Sequence, residues 1–109
     1  MKYIIKESQI NNVVFWYLNS QDFIRINKGN KIYFVNSEGD EYAQIRLDKD
    51  DGWCFININL IREISSFFSL QPYDSKEVIG RWVENTLQMK VTNTQYSRGK
   101  GQKRLIIPK

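Results

Sequence analysis

Residues 23–58 read FIRINKGNKIYFVNSEGDEYAQIRLDKDDGWCFINI, and this stretch decides the fold. Apolar runs near 23–27, 31–36, 41–48 and 53–58 are divided by Lys28-Gly29-Asn30, Ser37-Glu38-Gly39-Asp40 and Lys49-Asp50-Asp51-Gly52. Each divider is short, polar and contains glycine, as hairpin loops of three or four residues require. The stretch predicts a four-stranded antiparallel meander.

The dividers also suggest a register, and a one-residue slip would exchange the two faces of a strand. Pairing Asp48 with Trp53 sets Leu47 against Cys54, Ile45 against Ile56 and Ala43 against Ile58. Pairing Asn36 with Glu41 sets Phe34 against Ala43 and Ile32 against Ile45. Pairing Asn27 with Lys31 sets Ile26 against Ile32 and Ile24 against Phe34. All three loops then give one aliphatic face: Ile24, Ile26, Ile32, Phe34, Ala43, Ile45, Leu47, Cys54, Ile56 and Ile58.

Upstream, Ile10, Val13, Val14, Tyr17 and Leu18 recur at helical spacing behind a capping Ser8, which predicts a helix over about 8–19. Before it, Tyr3-Ile4-Ile5 is a short apolar run that suits a strand. Downstream, Asn57 or Asn59 caps a second helix whose stripe is Leu60, Ile61, Ile64, Phe67 and Phe68, and Pro72 marks the break after it. Asp74, with Glu77 three places on, opens a third helix that buries Val78, Ile79, Trp82, Val83, Thr86 and Met89 and ends near Lys90. The two later helices are the natural cover for the aliphatic face. From Thr92 to Gln102 the chain is polar, and it closes with Leu105-Ile106-Ile107-Pro108, a run that could pair at a sheet edge, for instance beside Tyr3-Ile4-Ile5. The expected fold is α+β: residues 1–95 form one domain, and 96–109 form a basic C-terminal tail or an added edge strand.

The bulk numbers agree with a globular chain. There are 109 residues, 41% hydrophobic and 26% charged, enough for one domain and too apolar for intrinsic disorder. The formal net charge of +4 is uneven. Residues 96–109 hold Arg98, Lys100, Lys103, Arg104 and Lys109 with no acid, while the remainder is slightly acidic. A basic tail attracts nucleic acid or anionic surfaces, or simply keeps a chain soluble. The opening lacks the long apolar stretch of a signal peptide, and no apolar run is long enough to cross a bilayer. A cytoplasmic protein with no membrane partner is the expectation.

Little catalytic chemistry is on offer. The chain has no histidine, which removes the usual neutral-pH base and the commonest metal ligand. Its one cysteine, Cys54, has no histidine partner and falls on the expected core face, the position of an inert thiol. Asp48-Lys49-Asp50-Asp51-Gly52 resembles a calcium loop only superficially, since Gly52 stands at the fifth position and Asn59 at the twelfth, where an EF-hand requires acids. Asp74-Ser75-Lys76 has the Asp-x-Lys spacing of some nucleases, but an Asp there is explained as a helix cap. Arg98-Gly99-Lys100-Gly101 lacks the frame of a dinucleotide-binding turn. No catalytic residue, cofactor or metal is expected, and the chain reads as a non-enzyme.

The opposite sheet face is the unusual feature. In the expected register it carries Phe23, Arg25, Tyr33, Val35, Tyr42, Gln44, Arg46, Trp53, Phe55 and Asn57. Five aromatic rings and two arginines on one face need cover or a use. Three readings are open: helix 1 or the C-terminal segment covers the face as a second core; the face is a protein interface, most simply of a homodimer; or it is a stacking platform for single-stranded nucleic acid, with the basic tail along the backbone. The leading functional expectation is a non-enzymatic interaction module. The alternative is a nucleic-acid-binding protein that uses the candidate face Phe23, Arg25, Tyr33, Tyr42, Arg46, Trp53 and Phe55 with the basic tail.

The opening Lys2-Tyr3-Ile4-Ile5-Lys6-Glu7-Ser8-Gln9 and the block Val78-Ile79-Gly80-Arg81-Trp82-Val83-Glu84-Asn85-Thr86-Leu87-Gln88-Met89-Lys90 are similar to segments of an uncharacterised group of small proteins from tailed phages and marine metagenomes. The resemblance spans residues 1–94. It implies a phage or environmental origin, hence the host cytoplasm if phage-encoded and an accessory role there. It carries over no activity and no functional residue.

Overall fold

The glycine-bearing dividers make turns, but they set the pairing differently from one hairpin to the next. In the computed structural model, which describes residues 9–97 and 105–108, the elements are α1 (Ile10–Ser20), β1 (Ile24–Lys28), β2 (Lys31–Val35), β3 (Ile45–Asp48), β4 (Trp53–Asn57), α2 (Ile58–Phe68), α3 (Pro72–Leu87) and β5 (Asn93–Ser97). The strands form one mixed sheet in the order β1-β2-β3-β4-β5. The α+β class stands, and the four-stranded meander is corrected to five strands. The fifth lies parallel to β4, because the α2–α3 crossover returns the chain in the same direction. The expected domain boundary at residue 95 therefore falls inside a strand. Tyr3-Ile4-Ile5, the Ser8 cap and the basic residues Arg98, Lys100, Lys103, Arg104 and Lys109 lie outside the described residues.

The β3–β4 register is the expected one, with Leu47 opposite Cys54 and Ile45 opposite Ile56. Between β2 and β3 the observed pairs are Ile32 with Leu47 and Phe34 with Ile45. That is a two-residue shift from expectation, and an even shift keeps the side chains of β2 and β3 on their faces; Ala43, expected on the aliphatic face opposite Ile58, lies before β3 and joins Tyr33, Val35 and Phe55 instead, while Ile58 begins α2. Its cause is Asp40, whose carboxylate accepts from the backbone N–H groups of Asn36 (3.1 Å) and Ser37 (3.0 Å) and from the Ser37 hydroxyl (3.1 Å). This local knot holds the chain in a loop longer than a hairpin turn, so residues 41–44 do not extend β3 as expected.

The first hairpin is the real miss. Gly29, at φ +60°, and Asn30 make a two-residue turn that closes Lys28 on Lys31. Glycine at the first central position with an ordinary residue after it is the pattern of a II′ turn. The pairs become Ile24 with Val35 and Ile26 with Tyr33, an odd shift that turns β1 over. Ile24 and Ile26 leave the aliphatic face and join Tyr33 and Val35.

All three helices cover the face of Ile32, Phe34, Ile45, Leu47, Cys54 and Ile56. α1 contributes Val14 and Leu18, α2 Leu60, Ile61, Ile64 and Phe68, and α3 Val78, Ile79, Trp82 and Val83. Trp82 is the keystone. Its ring lies 5.2 Å from Phe34 and 5.9 Å from Phe23, and its indole N–H donates to Asn19 of α1 at 2.9 Å. Burial of a ring this large with its polar atom satisfied stabilises by several kcal/mol, roughly 3–5 on the scale of large-to-alanine changes.

Local signals fix the helix ends. β4 passes directly into α2, and the Asn57 side chain caps it by accepting from Asn59 N–H at 2.9 Å. Pro72 is not a break between helices but the first residue of α3, where its missing N–H costs nothing. Asp74 accordingly sits in the first turn of α3 instead of capping it. α3 ends at Leu87 with Gln88 left-handed, so Met89 lies beyond the helix, and Thr86 is exposed. Two glycines permit close approach. Gly52 has φ +76°, and a Cβ there would lie 2.8 Å from the Lys90 carbonyl. A Cβ on Gly80 would lie 2.4 Å from Thr94 Cγ2, so α3 seats on β5 only because residue 80 has no side chain.

Candidate functional site

The aromatic face does not lie open. Residues 41–43 bend over the sheet and meet the C-terminal segment: Ala43 N–H donates to the Leu105 carbonyl at 2.7 Å, and Ile107 N–H donates to the Glu41 carbonyl at 2.9 Å. Tyr42 and Ile106 form the antiparallel bridge between them. Leu105 is thereby buried on Tyr33, Val35, Ala43 and Phe55, with Ile24, Ile26 and Ile107 around the rim. Tyr33 is 1% exposed and Phe55 5%. The C-terminal run does pair, but with residues 41–43.

Of the seven candidate face residues, the structure brings Tyr33, Arg46 and Phe55 together, with Trp53 at their side. The Arg46 guanidinium lies 5.0 Å from the Phe55 ring centroid and forms two parallel bonds to Asp48, at 2.6 and 2.8 Å. A fork already holding a carboxylate is not a waiting phosphate ligand. Trp53 packs against Phe55 at 6.1 Å and stays partly exposed, as does Tyr42. Phe23 and Arg25 are corrections. The turned-over β1 puts Arg25 opposite Phe34 with its side chain exposed, and Phe23 packs on the helix side against Phe34 and Trp82.

Cys54 is fully buried beneath the helices, and burial pushes its thiol far above the usual range, with Asp48 adding to the effect. A thiol so held is no nucleophile. Among the described residues no three of His, Cys, Asp and Glu converge as a metal site would need.

One of several open clefts lies at the outer edge of the sheet where β4 and β5 end. A cleft of about 320 Å³ is lined by Ile58, Ile61 and Arg62 of α2, Pro72, Tyr73 and Lys76 of α3, and Tyr96 of β5. Its floor is aliphatic, its cations are Arg62 and Lys76, and none of the described residues lining it is a carboxylate. Tyr73 is 64% exposed and Tyr96 47%. The Lys76 ammonium stands 5.1 Å from the Tyr73 ring centroid and donates to the Thr94 carbonyl at 3.1 Å. The Glu77 carboxylate near the Tyr73 hydroxyl raises the Tyr73 pKa above the ordinary value, and the charge of Asp74 adds to this.

The fold explains the convergence. Asn57 starts α2 at the end of β4, Pro72 starts α3, and the parallel return places Tyr96 beside Ile56. Strand alternation then points Tyr96 to the helix side with Thr94. Sequence reasoning passed over these residues. Tyr73 lay next to a proline read as a break, and Tyr96 lay in a stretch read as a tail. Only the parallel pairing joins them, and no short-range periodicity reports it.

No protein-family model matches the chain, and comparison with curated proteins and with solved structures found no match.

Proposed function

We propose that the protein is a non-enzymatic interaction module and that its partner docks at the α2–α3–β5 cleft instead of on the sheet face. One observation carries this reading: two exposed tyrosines and two cations rim an aliphatic floor at the sheet edge, with no acid among the described lining residues. Tyrosine and arginine are the residues that interface centres favour. The want of a histidine and the burial of Cys54 support the non-enzymatic part. The resemblance to small phage proteins supports an accessory role in a host cytoplasm.

The test is site-specific photo-crosslinking in cells producing the protein. A benzophenone amino acid replaces Tyr73 or Tyr96 in turn, and Trp16, an exposed ring on α1, serves as the control position. Light-dependent adducts from 73 and 96 but not from 16 are expected. Adducts of equal yield from all three, or from 16 alone, contradict the reading.

A further inference from the structure

The chemistry of the cleft narrows the partner, on the premise that the cleft is the docking surface. Strand addition along β5 is one use of an edge, but Lys76 of α3 already donates to the Thr94 carbonyl, and a charged side chain held over an edge strand discourages pairing. The surface is better suited to rings and anions. Tyr73 and Tyr96 are exposed residues, and a nucleobase can stack on whatever ring area solvent reaches, Lys76 standing over one side of the Tyr73 ring. Arg62 presents a planar fork suited to phosphate oxygens. Lys76 has three donors, of which the Thr94 carbonyl takes one. The wider charge agrees. The formal net charge is +4, and the sequence that follows Ser97 at the end of β5 holds Arg98, Lys100, Lys103 and Arg104 without an acid before Leu105. A net positive charge draws a polyanion to the molecule.

We propose that the cleft binds single-stranded nucleic acid without base specificity, its bases stacking on Tyr73 and Tyr96 and its phosphates held by Arg62 and Lys76. The rings give sequence tolerance because every base has a flat face, and the cations make the affinity fall with salt. Glu77 and Asp74 stand near Tyr73 but are not among the described residues that line the cleft, and Glu77 accepts from the Thr94 hydroxyl.

The experiment is fluorescence anisotropy of a labelled oligothymidylate with the intact chain over a salt series. Variants are Tyr73→Ala, Tyr96→Ala, Arg62→Gln, Tyr73→Phe as the ring-keeping change, and Trp16→Ala as the distant control. Each tyrosine-to-alanine change is expected to weaken binding about tenfold, within the range of one lost base stack. Tyr73→Phe and Trp16→Ala leave it unchanged. Arg62→Gln flattens the slope of log affinity against log salt by about 0.7, the share of one phosphate on a single strand. Thymidine monophosphate competes poorly, since a single unit lacks the neighbouring contacts. Thermal melts of each variant separate lost folding from lost binding.

Undetectable binding at low salt overturns the proposal. So does binding that all variants retain in full, which would assign the affinity to the basic residues outside the cleft. Competition by the monophosphate at equal concentration overturns the strand in favour of a free nucleotide. If crosslinks form at 73 and 96 while the oligonucleotide fails to bind, the nucleic-acid proposal falls and the interaction module stands.

Discussion

The two faces of the sheet are covered by unlike means. One lies under three helices, with sixteen of the described residues buried in a single cluster. The other holds, among the described residues, five buried ones, with a C-terminal segment over them that is tied down by backbone bonds to residues 41–43. Helices present side chains at a fixed spacing, so their apolar stripe can be read and matched to a sheet. A segment with no periodicity of its own seals a face only through contacts across the whole chain. The first face is therefore robust as well as legible, and the second is the more easily opened.

Equal mutations on the two faces put that difference to the test. Leu47→Ala, under the helices, is expected to cost about 4 kcal/mol, since rigid neighbours leave the cavity unfilled. Leu105→Ala is expected to cost about 2 kcal/mol, as a short segment can settle into the space. Urea midpoints measure both, and equal losses would break the comparison. Gly52→Ala falls between them at about 3 kcal/mol, because it combines a positive φ with a 2.8 Å approach to the Lys90 carbonyl. Its melting temperature should fall further than that of Gly29→Ala, where the turn is strained but nothing stands near the new Cβ.

Asn57→Ala sharpens the comparison from the sheet's own side. The loss of the α2 cap should cost about 1 kcal/mol, read as a shift in thermal midpoint, without disturbing the C-terminal cover. The smallest effect concerns pH. Burial and a hydrogen bond to Glu63 push Tyr17 up to about 12. A raised folded pKa means the contribution is complete below the unfolded tyrosine value near 10 and is lost as pH climbs through about 12. Tyr17→Phe should remove that alkaline loss and delete the late component from an ultraviolet tyrosine titration.

The same contrast explains what could be read from the sequence. Most of the α2 and α3 stripes were legible, as was the β3–β4 register, because local spacing and loop chemistry fix them. Phe67 and Thr86 were assigned to buried faces and lie exposed, each at the margin of its stripe. β1 was assigned the wrong face because a three-residue loop and a two-residue loop at Lys28-Gly29-Asn30 differ by one position, and one position inverts a strand. β5 was missed because Asn93-Thr94-Gln95-Tyr96-Ser97 is polar and owes its place to the seat that Gly80 offers Thr94. The aromatic face was correctly seen as needing cover, and the C-terminal segment was one of the covers weighed, but which one serves is a long-range fact. The cleft residues Arg62, Tyr73, Lys76 and Tyr96 were illegible as a group for the same reason.

The most direct test of the sealed second face is amide hydrogen exchange, read by NMR on the intact chain, at Ala43 and Ile107. Both N–H groups donate across the 41–43 and 105–107 pairing, so the account predicts that they exchange far more slowly than unstructured amides. Exchange at the unstructured rate for both would mean the segment does not close the face, and would return Tyr33 and Phe55 to the list of surfaces a partner can reach.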